Sequence, residues 1–254
     1  MIGVSTGRND LLRPCNGAAT IADRDAMNGS PTLGTVPTGR GTRERIGAAV
    51  PLSGAALVAA GVVTVLALHV LAPEVEPIRR TLSQYALGTW KPAFDAGVLA
   101  VAAGSAGVLA GLLRAGLVRY RSGTAVLLAA WCACLVVVVA FEKIDWSVGP
   151  TPTGYLHRYA SLVAFACLPA AALALGRAWR ADPRWARFAA WTRGLGVAAL
   201  AWLAPLLLGF ALRPLTGVPW WRFVPLGLFE RGLALTEVAA VLVMGLWAAR
   251  AARP

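Results

Sequence analysis

Residues 123–141, GTAVLLAAWCACLVVVVAF, run nineteen positions without a charged side chain. Wound as an α-helix at ~1.5 Å per residue they reach about 28 Å, close to the ~30 Å of hydrocarbon in a bilayer. A strand is the alternative for so many valines, but a spanning strand must close into a barrel. No alternating ten-residue pattern is present to build one. Working outward, five more apolar runs lie at roughly 48–71, 95–113, 156–176, 194–212 and 228–249. The 254 residues are 57% hydrophobic and 14% charged, against about 45–50% and about 25% in a soluble domain. That balance excludes a soluble globular fold, and a chain this apolar cannot stay solvated as a disordered one. The sequence therefore predicts an all-α fold: a polytopic membrane helix bundle of six transmembrane helices over residues 48–250. Residues 1–47, rich in Gly, Thr, Pro, Asn and Arg, show neither helical nor strand period and no apolar core of a signal peptide. They read as a disordered cytoplasmic tail, with Met27 as a possible later start.

The net charge of +12 invites a nucleic-acid reading, which the distribution argues against. The basic residues stand at the ends of apolar runs, and all but Lys91 and Lys143 are arginines. Sixteen precede the first run, follow the last, or lie in the 114–122 and 177–193 connections; eight occupy the other side. The positive-inside rule then places both termini in the cytoplasm of a multi-pass protein of the cell inner (plasma) membrane. Seven of the twelve acids fall on the opposite, outer side, so that face is chemically mixed and is where a site is expected. The predicted partners are membrane lipids and not nucleic acid.

Within the second run Gly97, Gly104 and Gly111 recur every seven residues, with Gly107 adding a small-xxx-small pair. This is a helix packing face, for a neighbour in the same bundle or, less commonly, for a second copy. Pro169 and Pro205 are expected to kink the fourth and fifth helices. Cys132, Cys134 and Cys167 lie in spans with no C-x-x-C and read as small core residues.

Glu237 is the one acid well inside an apolar run, where a carboxylate costs at least ~2.5 kcal/mol unless a partner or a proton neutralises it. Glu230 lies seven residues earlier on the same helix face. His69 and His157 sit near the outer boundary with Asp95, Glu142 and Asp145, a set that could ligate a metal or, through the two imidazoles, a haem. No H-E-x-x-H or Glu-x-x-His repeat is present, and an interfacial His more often bonds a carboxylate. The spacing singles out no cofactor. Residues 79–85 read as an interfacial helix anchored by Trp90, with Trp146, Trp220 and Trp221 in the same belt.

The segments RRTLSQYALGTW (79–90), FDAGVLA (94–100), TPTGYLHRYASLVAFACLPAAAL (151–173) and GLFERGLALTE (227–237) together resemble a six-span prokaryotic membrane family, domain of unknown function 998, over about residues 50–250. The resemblance marks Ser83, Tyr85, Asp145, Gly154, His157, Glu230 and Arg231. The family commonly shows Phe-Pro-x-Asp where this chain has Phe141-Glu142-Lys143-Ile144-Asp145. It carries no established activity.

The candidate outer-face polar site is thus Ser83, Tyr85, Asp145, His157, Glu230, Arg231 and Glu237. Three readings follow. The cluster binds a lipid headgroup, small ligand or partner. Alternatively, Asp145, His157 and Ser83 serve a membrane-embedded lipid hydrolase, with or without a metal, loosely similar to the alkaline ceramidase and adiponectin receptor group but without its multiple-histidine zinc motif. Last, Glu237 carries protons in a transporter.

Overall fold

The computed structural model describes residues 39–144, 149, 151–216 and 224–253. Six helices follow in order: α1 (Gly39–Leu71), α2 (Lys91–Arg114), α3 (Gly123–Ala140), α4 (Pro152–Ala178), α5 (Ala186–Thr216) and α6 (Leu226–Ala251). No strand occurs among the described residues. All six helices are long and apolar enough to cross a membrane, and in α1 that stretch begins at Gly47. Helix α1 starts about two turns earlier, so helical backbone precedes the apolar run. Many large apolar side chains face outward, Val63, Val70, Val126 and Leu208 among them. Hydrophobic surface all round a helix marks a lipid-facing bundle. The chain is a multi-pass integral membrane protein.

Local chemistry sets the helix ends. Ser122 Oγ accepts from Ala125 N–H at 3.3 Å to open α3, and Thr151 Oγ1 accepts from Gly154 N–H at 3.1 Å to open α4, with Pro152 in its first turn. Helix α2 stops in a Schellman turn. Leu117 N–H reaches Leu112 O at 3.0 Å and Gly116 N–H reaches Leu113 O at 3.1 Å, with Gly116 at φ +70°. Helices α4 and α5 both run through their prolines, Pro169 and Pro205.

Consecutive helices pack side by side from α1 to α6, and α6 closes the ring against α1 while also touching α2 and α4. The closest approach is between α1 and α2. A Cβ on Gly104 would stand 2.5 Å from Gly54 O, one on Gly61 2.5 Å from Gly97 O, and one on Gly111 2.5 Å from the Pro51 ring. The seven-residue glycine face of α2 therefore lies on a matching Gly54/Gly61 face of α1. Without a hydrophobic drive between helices in lipid, such backbone proximity supplies the packing contact.

The two ends of the bundle differ. At one, Trp179 Nε1–H donates to Leu117 O at 2.8 Å, tying the α4–α5 turn to the α2–α3 turn. Trp185, Phe188 and Trp247 stack around that point, and Gly47 lies beside Ala252. The arginines of the 114–122 and 177–193 connections gather here. At the opposite end, the 72–90 connection, residues 141–144 and the start of α6 come together. Of residues 79–85, read as an interfacial helix, 82–85 fall in a short 3₁₀ helix, Leu82–Leu87, and 79–81 lead into it.

Candidate functional site

Arg231, one turn into α6, organises the end opposite the arginine-rich one. Its Nη1 donates to Pro77 O and Arg80 O, both at 2.7 Å, and to Gly227 O at 3.1 Å. Its Nε donates to His69 Nε2 at 2.7 Å, across 162 positions of sequence. The imidazole that accepts there carries its proton on Nδ1, which donates to Val65 O at 3.1 Å. His69 thereby presents Nε2 as an acceptor to the arginine. The ring of Tyr85 packs 5.5 Å away, with Leu68, Ala72 and Phe94 around it.

Glu230, next to Arg231, does not pair with it. Its Oε2 accepts from Leu82 N–H at 3.1 Å, and Leu228 N–H donates to Ile78 O at 3.0 Å. Both residues thus satisfy main-chain groups of the 72–90 connection, which near lipid would otherwise lack partners. Gly227 permits the approach: a Cβ there would collide with Pro77 O and Arg80 O. Lys143 binds the same connection from another side, donating to Thr81 Oγ1 at 2.5 Å and Gln84 Oε1 at 2.9 Å.

Beneath this cap lies a cavity of about 250 Å³, bounded by α1, α2, α3, α4 and α6. Ser83, His69, Glu230 and Arg231 line its upper rim, and Glu237 and Trp131 line it deeper in the bundle, among side chains such as Val101 and Leu135. Glu237 is 3% exposed and Trp131 2%. Glu237 Oε1 and Trp131 Nε1 have no hydrogen-bond partner among the described residues. A second cavity, about 340 Å³, adjoins it through Ser83, Ser161, Phe165 and Glu230. Thr81, Lys143 and Arg158 stand at its polar end and Leu203, Leu206 and Leu207 along its apolar wall.

Of the residues singled out from sequence, Ser83, Glu230, Arg231 and Glu237 converge on the first cavity. Tyr85 is buried beside His69, away from the cavity lining, its hydroxyl without a partner among the described residues. His157 turns to α3, where its Nδ1 lies 2.9 Å from both Val138 O and Phe141 O. It closes the C-terminal end of that helix, whose last carbonyls need donors. Asp145 lies outside the described residues, as do Trp146, Trp220 and Trp221. Asp95 pairs with Lys91 at 2.7 Å on α2. No group of three His, Cys, Asp or Glu side chains suited to a metal occurs among the described residues. Cys132, Cys134 and Cys167 are free thiols.

Lys143, Trp131 and Arg158 were not singled out by sequence reasoning. Lys143 carried a signal, as one of two lysines against many arginines. Trp131 carried a fainter one: a tryptophan at the middle of an apolar run, away from the interfaces where that residue marks depth.

The sequence model of a family described as "Protein of unknown function (DUF998)" matches residues 53–247. The chain belongs to this family. The match begins in α1 and ends in α6, so every residue of the cap and of both cavities falls inside the DUF998 region. No curated protein and no solved structure matches the chain.

Proposed function

We propose that this DUF998 protein binds an anionic membrane lipid at the outer-leaflet end of its bundle. The headgroup sits between Lys143 and Arg158, and an acyl chain lies along α5. The observation that carries the reading is the larger cavity: two cations and the hydroxyls of Thr81 and Ser83 at one end, and a wall of leucines at the other. This is the pattern an amphiphile with a phosphate group complements, since cations and hydroxyls supply donors to its oxygens. Glu230 shares the cavity, but its Oε2 is engaged by Leu82 N–H. The arginine count supports an orientation with both termini cytoplasmic in the inner (plasma) membrane, which makes this end the outer one.

A basic residue near a membrane surface contributes about 1 kcal/mol to anionic-lipid binding, a factor of about five. In nanodiscs of mixed phosphatidylglycerol and phosphatidylethanolamine, native mass spectrometry of the full chain should show selective retention of phosphatidylglycerol. Arg158→Ala should cut that preference about fivefold, and Arg158→Glu by more. Competition by inorganic phosphate would assign the pocket to a free anion, and equal retention of both lipids by the wild-type chain would refute the reading.

A further inference from the structure

The deeper cavity poses a different chemical question, independent of the headgroup reading because it rests on Glu237 and Trp131. Glu237 on α6 and Trp131 on α3 both line one apolar chamber, and Glu237 Oε1 and Trp131 Nε1 are buried polar atoms without protein partners among the described residues. Leaving either group unsatisfied in such surroundings costs about 1–3 kcal/mol. A ligand that answers both must donate to a carboxyl oxygen and accept from an indole N–H, which is a donor only. An ammonium offers no acceptor, an ionised carboxylate offers no donor, and a hydrocarbon offers neither. A hydroxyl has both.

The dimensions say where the rest of the molecule goes. At about 250 Å³ the chamber exceeds the ~150 Å³ cavity that holds benzene and falls short of the ~300–1,000 Å³ of pockets that enclose a drug-sized ligand. It can take a head and a few carbons. Leu66 on α1 and Leu235 on α6 line it and are also 54% and 62% exposed on the lipid side. The chamber thus borders the membrane between α1 and α6, where a longer chain can leave sideways into lipid.

We infer that the chamber binds the hydroxyl end of an uncharged long-chain alcohol, aliphatic or isoprenoid, with its tail passing Leu66 and Leu235 into the bilayer. The test is photolabelling of the full chain in proteoliposomes with a diazirine-bearing 1-dodecanol. Labelling should map to 62–69, 131–138 and 230–238. Unlabelled 1-dodecanol should compete at least tenfold better than dodecane or dodecyltrimethylammonium. Trp131→Phe keeps the ring volume and removes only the N–H, and should weaken competition about three- to tenfold. Glu237→Leu should do the same, with elution as a single folded species as the control. Labelling spread evenly over outward residues such as Val70 and Leu207, equal competition by dodecane, or wild-type competition in a folded Trp131→Phe protein would overturn the inference. Loss of lipid selectivity in Arg158→Ala with intact alcohol labelling would separate this site from the headgroup cavity.

Discussion

Replacing Arg231 by Met removes the donors that hold the 72–90 connection to α6, and the structure allows the cost to be worked. Three bonds are lost at 2.7 Å, to His69 Nε2, Pro77 O and Arg80 O. A bond from a charged donor contributes about 1.5–3 kcal/mol net, and an ordinary one about 0.5–1.5. The His69 bond is partly buried and counts at the charged value. The two carbonyls are exposed, water can replace the arginine there, and each counts at the lower end of the ordinary range. The sum is about 2.5–4 kcal/mol, or a fall in Tm of roughly 5–16 °C at ~2–4 °C per kcal/mol for a chain of this size. Thermal unfolding in detergent, followed with a thiol-reactive dye, reads it directly because Cys132, Cys134 and Cys167 are free thiols within the helices. Arg231→Lys is the sharper variant. One ammonium lacks the planar fork needed to reach His69 and the loop carbonyls together, so Lys should recover less than half of the loss. Amide exchange at residues 78–82 should accelerate in both variants while exchange in the middle of α3 stays unchanged. A Tm within about 1 °C of wild type for Arg231→Lys would refute the assignment of Arg231 as the clasp of this loop.

Three further outcomes are expected. Gly104→Val should abolish the folded yield, since its Cβ would meet Gly54 O at 2.5 Å and Val58 N at 2.7 Å, backbone atoms that cannot step aside, whereas Gly123→Ala, with nothing within 4 Å, should fold as wild type in the same expression test. His157→Ala leaves Val138 O and Phe141 O without their donor and should lower stability by about 1–3 kcal/mol, measured by the same thiol assay, with faster proteolysis between α3 and α4. Glu76→Cys and Arg187→Cys, each in a cysteine-less background, should react with an impermeant maleimide from opposite sides of intact cells; labelling of both from one side would refute the six-span topology.

The fold was legible because its signal is additive along the chain. Nineteen uncharged residues at 123–141 announce a span whatever their order, and the helix Gly123–Ala140 matches that run closely. The ends were less legible. The run beginning at 194 belongs to a helix that begins at Ala186, because hydropathy registers the apolar centre while Arg187 and Arg193 continue the helix at the boundary. Glu230, Arg231 and Glu237 stood out since an ionisable group in a lipid-length run is rare. Their partners did not stand out, since Arg231 meets Pro77 O and Arg80 O and Glu230 meets Leu82 N–H. Main-chain acceptors and donors are the same in every sequence and carry no residue signature. Trp131 was hidden for another reason: whether an indole N–H faces a helix, lipid or a cavity depends on how α3 is rotated in the bundle. The chamber has walls from five helices, which no single run encodes.

Glu230 and Arg231 are neighbours on α6, and each turns to the loop rather than to the other. A connection such as 72–90, folded against the ends of membrane helices, has backbone groups that water reaches poorly, and side chains must supply their partners. Arg231, Glu230 and Lys143 do this from two directions, and His69 holds Arg231 from a third. Removing any of them should therefore loosen the cap first and change binding as a consequence. Glu237, Trp131 and Arg158 stand differently: each lines a cavity, and among the described residues none of them hydrogen-bonds the loop as the cap residues do. Conservative variants at these three should leave Tm nearly unchanged and alter ligand selectivity alone. That separation of stability from binding is what distinguishes a ligand chamber from a polar knot that merely closes the bundle.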